Sequence, residues 1–209
     1  MRAGALGALV VLFGLMGVSD VSARPKVMLF APGGFLERQP IGYAKRALRD
    51  AGYKPLAARY PTHDLVGADR YAQRFALQHP RARIAVGFSA GGTLAANLAA
   101  RGLVDRAVTV SAIGDLARWC GDGPEARRYF EGELGATMAD RRRLSPNRLF
   151  RKYGPHRKML IIHSPADWFV PFGQAERMAE LSGGRLRAVT GGHGGFEQQM
   201  PRILRYLGR

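Results

Sequence analysis

Six short strand candidates, separated by stretches with helical spacing, constrain the fold of this chain more than any other feature. Residues 26–31, 54–60, 84–88, 107–111, 159–163 and 185–190 each read as a strand. Residues 41–51, 65–79, 90–101, 172–181 and 195–207 place apolar side chains at helical intervals. Ile41, Ala44, Ala47 and Leu48 share one face of the first of these, and Gly52, Pro80 and Gly102 stand where the first three should stop. Largely apolar strands that alternate with helices belong to a parallel sheet covered on both faces. The expected fold class is therefore α/β: a three-layer sandwich with a mostly or wholly parallel sheet of about six strands. Such sheets bind ligands at the carboxyl ends of their strands.

A length of 209 residues suits one ordinary domain. With 46% hydrophobic and 23% charged residues the chain can bury a core, which excludes collagen-like, low-complexity and disordered classes. Residues 1–23 read as an export signal. Arg2 gives the positive start, residues 3–18 are apolar and uncharged, and Val21-Ser22-Ala23 places small residues where a signal peptidase cuts. The apolar stretch is shorter than the roughly 20 residues of a spanning helix, so cleavage after Ala23 is expected in preference to a retained anchor. Residues 24–209 then form a single domain, periplasmic or secreted. Cys120 is the one cysteine, so no internal disulfide can form, and it reads as a free or partly buried thiol.

The net charge is +16, from 32 Lys and Arg against 16 Asp and Glu. Such a balance raises nucleic acid, anionic lipid or an acidic polymer as partners. The arginines are scattered and not gathered in an arm, and no nucleic-acid-binding motif is present. An anionic envelope surface therefore remains and nucleic acid does not. The densest run is Arg141-Arg142-Arg143, followed by Arg148, Arg151 and Lys152, and reads as a solvated cationic face.

Chemistry enters at the strand ends. Gly87-Phe88-Ser89-Ala90-Gly91 is a G-x-S-x-G pentapeptide between the third strand and its helix. A nucleophile elbow needs that setting, with small flanking residues around a serine in a strained turn. A serine hydroxyl needs an imidazole to take its proton and a carboxylate to orient the imidazole. Of the five histidines only His193, in Gly191-Gly192-His193-Gly194-Gly195, follows the last strand. Asp167 follows the fifth strand and is the preferred acid, with Asp115 after the fourth strand as its competitor. His163 reads as a strand-end histidine bonded to backbone.

Gly87 to Ala95, His163-Ser164-Pro165-Ala166-Asp167 with Val170-Pro171, and Gly192-His193 together resemble the three catalytic blocks of the α/β-hydrolase superfamily. Gly92 and Ser145-Pro146-Asn147 are similar to its small serine esterase branch, which includes feruloyl-esterase-like and kynurenine-formamidase-like enzymes. The resemblance spans about residues 26–207 and implies a sheet with six of the usual eight strands. That branch often has His-Gly-Gly-Gly after its first core strand, where this chain has Ala31-Pro32-Gly33-Gly34-Phe35. An oxyanion hole needs only backbone N–H groups. Gly34 or Phe35 is expected to supply one and Ala90 the other.

The expected activity is that of an exported serine hydrolase acting on carboxylic esters through an acyl-enzyme, without metal or organic cofactor. It should work at neutral to alkaline pH, where His193 is neutral. Residues 114–157 are expected to form a cap. Trp119 and Phe130, with Trp168, are candidate pocket residues, and the cap aromatics serve equally well as the cap's own small core. The expected substrate is a small molecule or exposed acyl ester, met by a monomer. The competing class is a catalytically silent protein of this fold that binds an anionic polymer or lipid surface through its basic face.

Overall fold

The computed structural model describes residues 24–33, 41–120 and 123–208. The export signal expected over 1–23 and the candidate oxyanion donors Gly34 and Phe35 lie outside the described residues. Six strands form one sheet: β1 (Lys26–Phe30), β2 (Lys54–Ala58), β3 (Ile84–Phe88), β4 (Arg106–Val110), β5 (Met159–His163) and β6 (Arg185–Ala188). Their order is β2-β1-β3-β4-β5-β6, and every neighbouring pair is parallel. The α/β sandwich read from the sequence is what the chain forms, with a wholly parallel sheet. β2 and β6 stop at Ala58 and Ala188, short of the ends expected at Tyr60 and Thr190. Tyr60 leaves the sheet to donate its hydroxyl to the Ala31 carbonyl at 2.7 Å, and Thr190 has left the ladder where the loop to His193 begins.

The helices are α1 (Gly42–Asp50), α2 (Leu65–Gln78), α3 (Ala90–Ala100), α4 (Leu116–Trp119), α5 (Pro124–Arg127), α6 (Met138–Arg143), α7 (Pro146–Tyr153), α8 (Gly173–Ser182) and α9 (Phe196–Leu207). Alternation along the strands gives each face its own apolar layer. On one side Ala44 and Leu48 of α1 and Met200, Ile203 and Leu207 of α9 cover Val27, Leu29, Val86, Phe88, Val108, Val110, Leu160 and Ile162. On the other, α2, α3 and α8 cover Met28, Phe30, Ala85, Ala107, Met159 and Ile161. Every residue of α3 is buried, the condition of a helix enclosed on all sides. Its small side chains let it lie deep beneath the sheet's carboxyl edge.

Between β4 and β5 the chain builds α4, α5, a π-helical turn (Arg128–Glu133), α6 and α7. Its apolar residues Phe130, Leu134, Leu144, Leu149 and Phe150 are continuous with the main core. One residue of the cationic run is placed differently from the expectation. Arg142 and Arg143 are exposed, but Arg141 is 1% exposed. It donates from Nε to the Leu116 carbonyl at 3.0 Å and from its terminal nitrogen to Ala117 at 3.2 Å, with its guanidinium 4.1 Å over the Phe130 ring. Carbonyls at the short helix α4 lack intrahelical partners, and an inward arginine supplies the donors.

Candidate active site

Ser89 follows β3, and β3 stands at the point where the sheet order reverses, with β2 on one side of β1 and β3 on the other. In open parallel sheets that is the place where ligands bind. Ser89 has φ 51° and ψ −120°, a backbone state that costs a residue with a Cβ about 1–3 kcal/mol. The flanking glycines make the turn sterically feasible. A Cβ on Gly87 would stand 2.1 Å from the Gly91 carbonyl oxygen. One on Gly91 would stand 2.4 Å and 2.5 Å from the carbonyl oxygens of Ala31 and Phe30, so α3 could not tuck against the end of β1. Ala90 opens α3, and its N–H is one of those that a helix start leaves without an intrahelical acceptor.

Three side chains from three loops meet at this edge. Ser89 Oγ lies 3.0 Å from His193 Nε2. His193 Nδ1 lies 2.9 Å from Asp167 Oδ2 and 3.1 Å from Oδ1. Asp167 is buried, His193 partly so. Burial opposes ionisation of the Asp167 carboxyl, but N–H donation from Val170, His193 and Phe169 outweighs it and holds the carboxyl below the usual aspartate range. The Val170 and Phe169 N–H groups reach Oδ1 at 2.8 Å and 3.0 Å, which fixes the carboxylate within its own turn.

The competitor Asp115 has other work. It caps α4, accepting from the N–H groups of Ala117 at 3.0 Å and Arg118 at 3.2 Å, and receives the Ser145 hydroxyl at 3.3 Å. His163 is fully buried and donates from Nε2 to the Val170 carbonyl at 2.8 Å. The same nitrogen is 3.3 Å from Asp167 Oδ2, so a second imidazole braces the carboxylate.

The pocket candidates divide. Trp168 is 82% exposed and lies against Gly192. Trp119 is half-buried and donates from its indole to the Phe169 carbonyl at 2.8 Å. Phe130 has no exposed surface. Its ring packs on Trp119, Tyr129 and the Arg141 guanidinium, so it offers no wall to a ligand and serves the cap's interior instead. Sequence reasoning missed two participants. The Phe169 ring stands 4.7 Å from the His193 ring and 5.0 Å from Trp119, yet only its proximity to Asp167 in the sequence pointed to it. Ser164 donates its hydroxyl to the Gly191 carbonyl and accepts the Ala166 N–H at 3.1 Å, pinning the histidine loop. Among the described residues no three His, Cys, Asp or Glu side chains cluster as metal ligands would.

No protein-family model and no curated protein sequence matches the chain. Solved structures do share its architecture. An acetyl ester-xyloside bifunctional hydrolase from Caldicellulosiruptor lactoaceticus superposes with TM-score 0.71 at 17% identity, over 90% of this chain and 84% of that one. Carboxyl esterase 2 from the mycorrhizal fungus Tuber melanosporum gives 0.66 at 16% identity, over 90% and 76%. A monoacylglycerol lipase from Paleococcus ferrophilus gives 0.65 at 16% identity, over 88% and 94%.

Proposed function

The chain has the α/β-hydrolase fold, and from that premise we propose that it is an exported serine hydrolase that cleaves carboxylic esters. The observation that carries this reading is the unbroken line from Ser89 through His193 to Asp167 at the sheet's carboxyl edge. Ser89 Oγ attacks the ester carbonyl while His193 Nε2 takes its proton. Asp167 stays ionised and accepts from Nδ1–H, which fixes the tautomer and stabilises the imidazolium. His193 then protonates the departing alcohol, and water repeats the cycle on the acyl-enzyme. The Ala90 N–H is one donor to the oxyanion, and the Gly34 or Phe35 N–H is assigned as the other on the sequence reading.

The names of the neighbouring structures, an acetyl ester hydrolase, a carboxyl esterase and a lipase, support an ester as the substrate class. The aromatic wall of Trp119, Trp168 and Phe169 suits a small or exposed acyl ester. The export signal read over 1–23 supports action outside the cytoplasm, where the +16 charge meets anionic envelope surfaces.

The test is a fluorophosphonate probe and a series of p-nitrophenyl esters from acetate upward, applied to the protein and to Ser89→Ala. Labelling and turnover that both vanish in the variant are expected. Turnover that persists in Ser89→Ala, or an unlabelled and inactive parent, sinks the proposal.

A further inference from the structure

The apolar layer under α9 ends in two arginines. Along the sheet, Val86, Val108 and Leu160 stand in register, and the next position outward on the edge strand β6 is Arg185. One step further along the strands the row Phe88, Val110 and Ile162 ends at Arg187. Every residue of both rows except the arginines is buried and apolar. From the facing helix, Arg202 and Arg205, three residues apart, come to the same place. These four arginines, with Leu160, Ala188 and Tyr206, line a cavity of about 340 Å³.

In other arginine-lined hollows some of the guanidinium groups are paired with an acid. In one of those, Arg101 is bonded to Asp69 and Arg143 to Asp140. In another, Arg83 is bonded to Asp105. Around the cavity under β6 no carboxylate is in the lining, and among the described residues none bonds any of its four guanidinium groups. Arg202 alone has a side-chain acceptor, the neutral Gln199 amide at 3.0 Å. The four arginines are exposed around one hollow, and their positive charges repel each other and are stabilised together by a multiply charged anion. Guanidinium groups present paired N–H donors that match phosphoryl oxygens, and the Tyr206 hydroxyl is a further donor.

We propose that this cavity binds the phosphoryl or diphosphoryl group of a small soluble molecule, at a site separate from the Ser89 crevice. The volume accommodates a diphosphate. The competing explanation is that exposed arginines on an edge strand only discourage pairing with another sheet, a role that needs no ligand.

Titration calorimetry with pyrophosphate, at ionic strength held constant with sodium chloride, separates the two. Saturable one-to-one binding is expected, weaker for inorganic phosphate and absent for added chloride. Arg187→Gln combined with Arg202→Gln should weaken it at least about tenfold, and Arg142→Gln with Arg148→Gln should leave it unchanged. As a measurement that needs no variant, pyrophosphate should slow phenylglyoxal modification of the peptides carrying Arg185, Arg187, Arg202 and Arg205 in the parent protein, and not of those carrying Arg142 and Arg148. Absence of saturable binding, equal binding by the Arg187/Arg202 variant, or protection at Arg142 and Arg148 instead would overturn the proposal. Ester hydrolysis is not the readout, so failure here leaves the reading of the Ser89 site untouched, and the converse also holds.

Discussion

The Ser164 hydroxyl donates to the Gly191 carbonyl, so a residue three positions before Asp167 holds a residue two positions before His193. The acid and the base sit on separate loops, after β5 and after β6, and this bond joins them. Glycine surrounds His193 on both sides, which gives its loop little side-chain packing of its own. Orientation of the imidazole therefore depends on a few tethers.

Ser164→Ala removes one tether and leaves the triad side chains intact. The fold should tolerate it, since one net hydrogen bond contributes about 1 kcal/mol. Displacement of the base by a fraction of an ångström should lower kcat roughly tenfold to a hundredfold. Steady-state kinetics beside a thermal melt checks this. An unchanged kcat would show that the histidine loop is held without Ser164.

At the elbow the prediction concerns volume. Gly91→Ala puts a methyl 2.4 Å from a backbone carbonyl oxygen, where no side chain can move aside. Overpacking of a tight site costs about 1–3 kcal/mol, and this one should fall at the upper end or prevent folding. Gly102→Ala is the contrast. That glycine has φ +67° with open space around it, so only the backbone penalty of about 1 kcal/mol applies. Urea unfolding of the two variants should rank them in that order, and equal losses would contradict the steric account.

The aromatic wall separates two roles in a third experiment. Phe169 packs edge-on against both His193 and Trp119, and each such contact is worth about 0.5–1.5 kcal/mol. Phe169→Leu should lower kcat several-fold by loosening the imidazole. Trp168 is exposed and meets the protein chiefly through Phe169 and Gly192. Trp168→Ala should therefore leave stability unchanged and raise KM for aryl or longer acyl esters. A KM unmoved across the ester series would remove Trp168 from the pocket.

The parts of this structure that were legible in the sequence are those where one residue pattern serves one geometry. The runs at β1, β3, β4 and β5 were legible because a strand covered on both faces must be apolar on both, while the edge strands β2 and β6 were legible from their place in the alternation with helices. Gly87, Ser89 and Gly91 were legible because the elbow excludes every larger side chain. The cap was not legible in detail. Its helices α4 and α5 are four residues each, too short to show a period. Arg141 looked like its exposed neighbours because nothing local distinguishes an arginine that satisfies carbonyls inside from one that meets water outside. Phe130 and Phe169 were exchanged in importance for a similar reason: both are apolar residues in irregular segments, and only tertiary contact decides which one reaches His193.

His163 supplies the pH dependence. Burial lowers its proton affinity, and the Val170 carbonyl and Asp167 carboxylate offset this only in part, so in the folded protein it titrates below its ordinary value of 6.5. His156 is shifted in the same direction, chiefly by burial. An unfolded chain takes up these protons near pH 6.5, before the folded one can. Stability that is complete above that pH is therefore lost as pH falls from 6.5 through the folded values, at up to about 1.4 kcal/mol per pH unit for one such group. Asp167 acts lower, because a carboxyl held below its ordinary 3.8 loses its contribution only as pH falls beneath that value. His163→Gln keeps an N–H able to reach the Val170 carbonyl and cannot take a proton. Urea unfolding at pH 7.5, 6.5, 5.5 and 4.5 should show a shallower decline for this variant than for the parent, with the remainder due to His156. Parallel declines would mean that His163 does not set the acid limb.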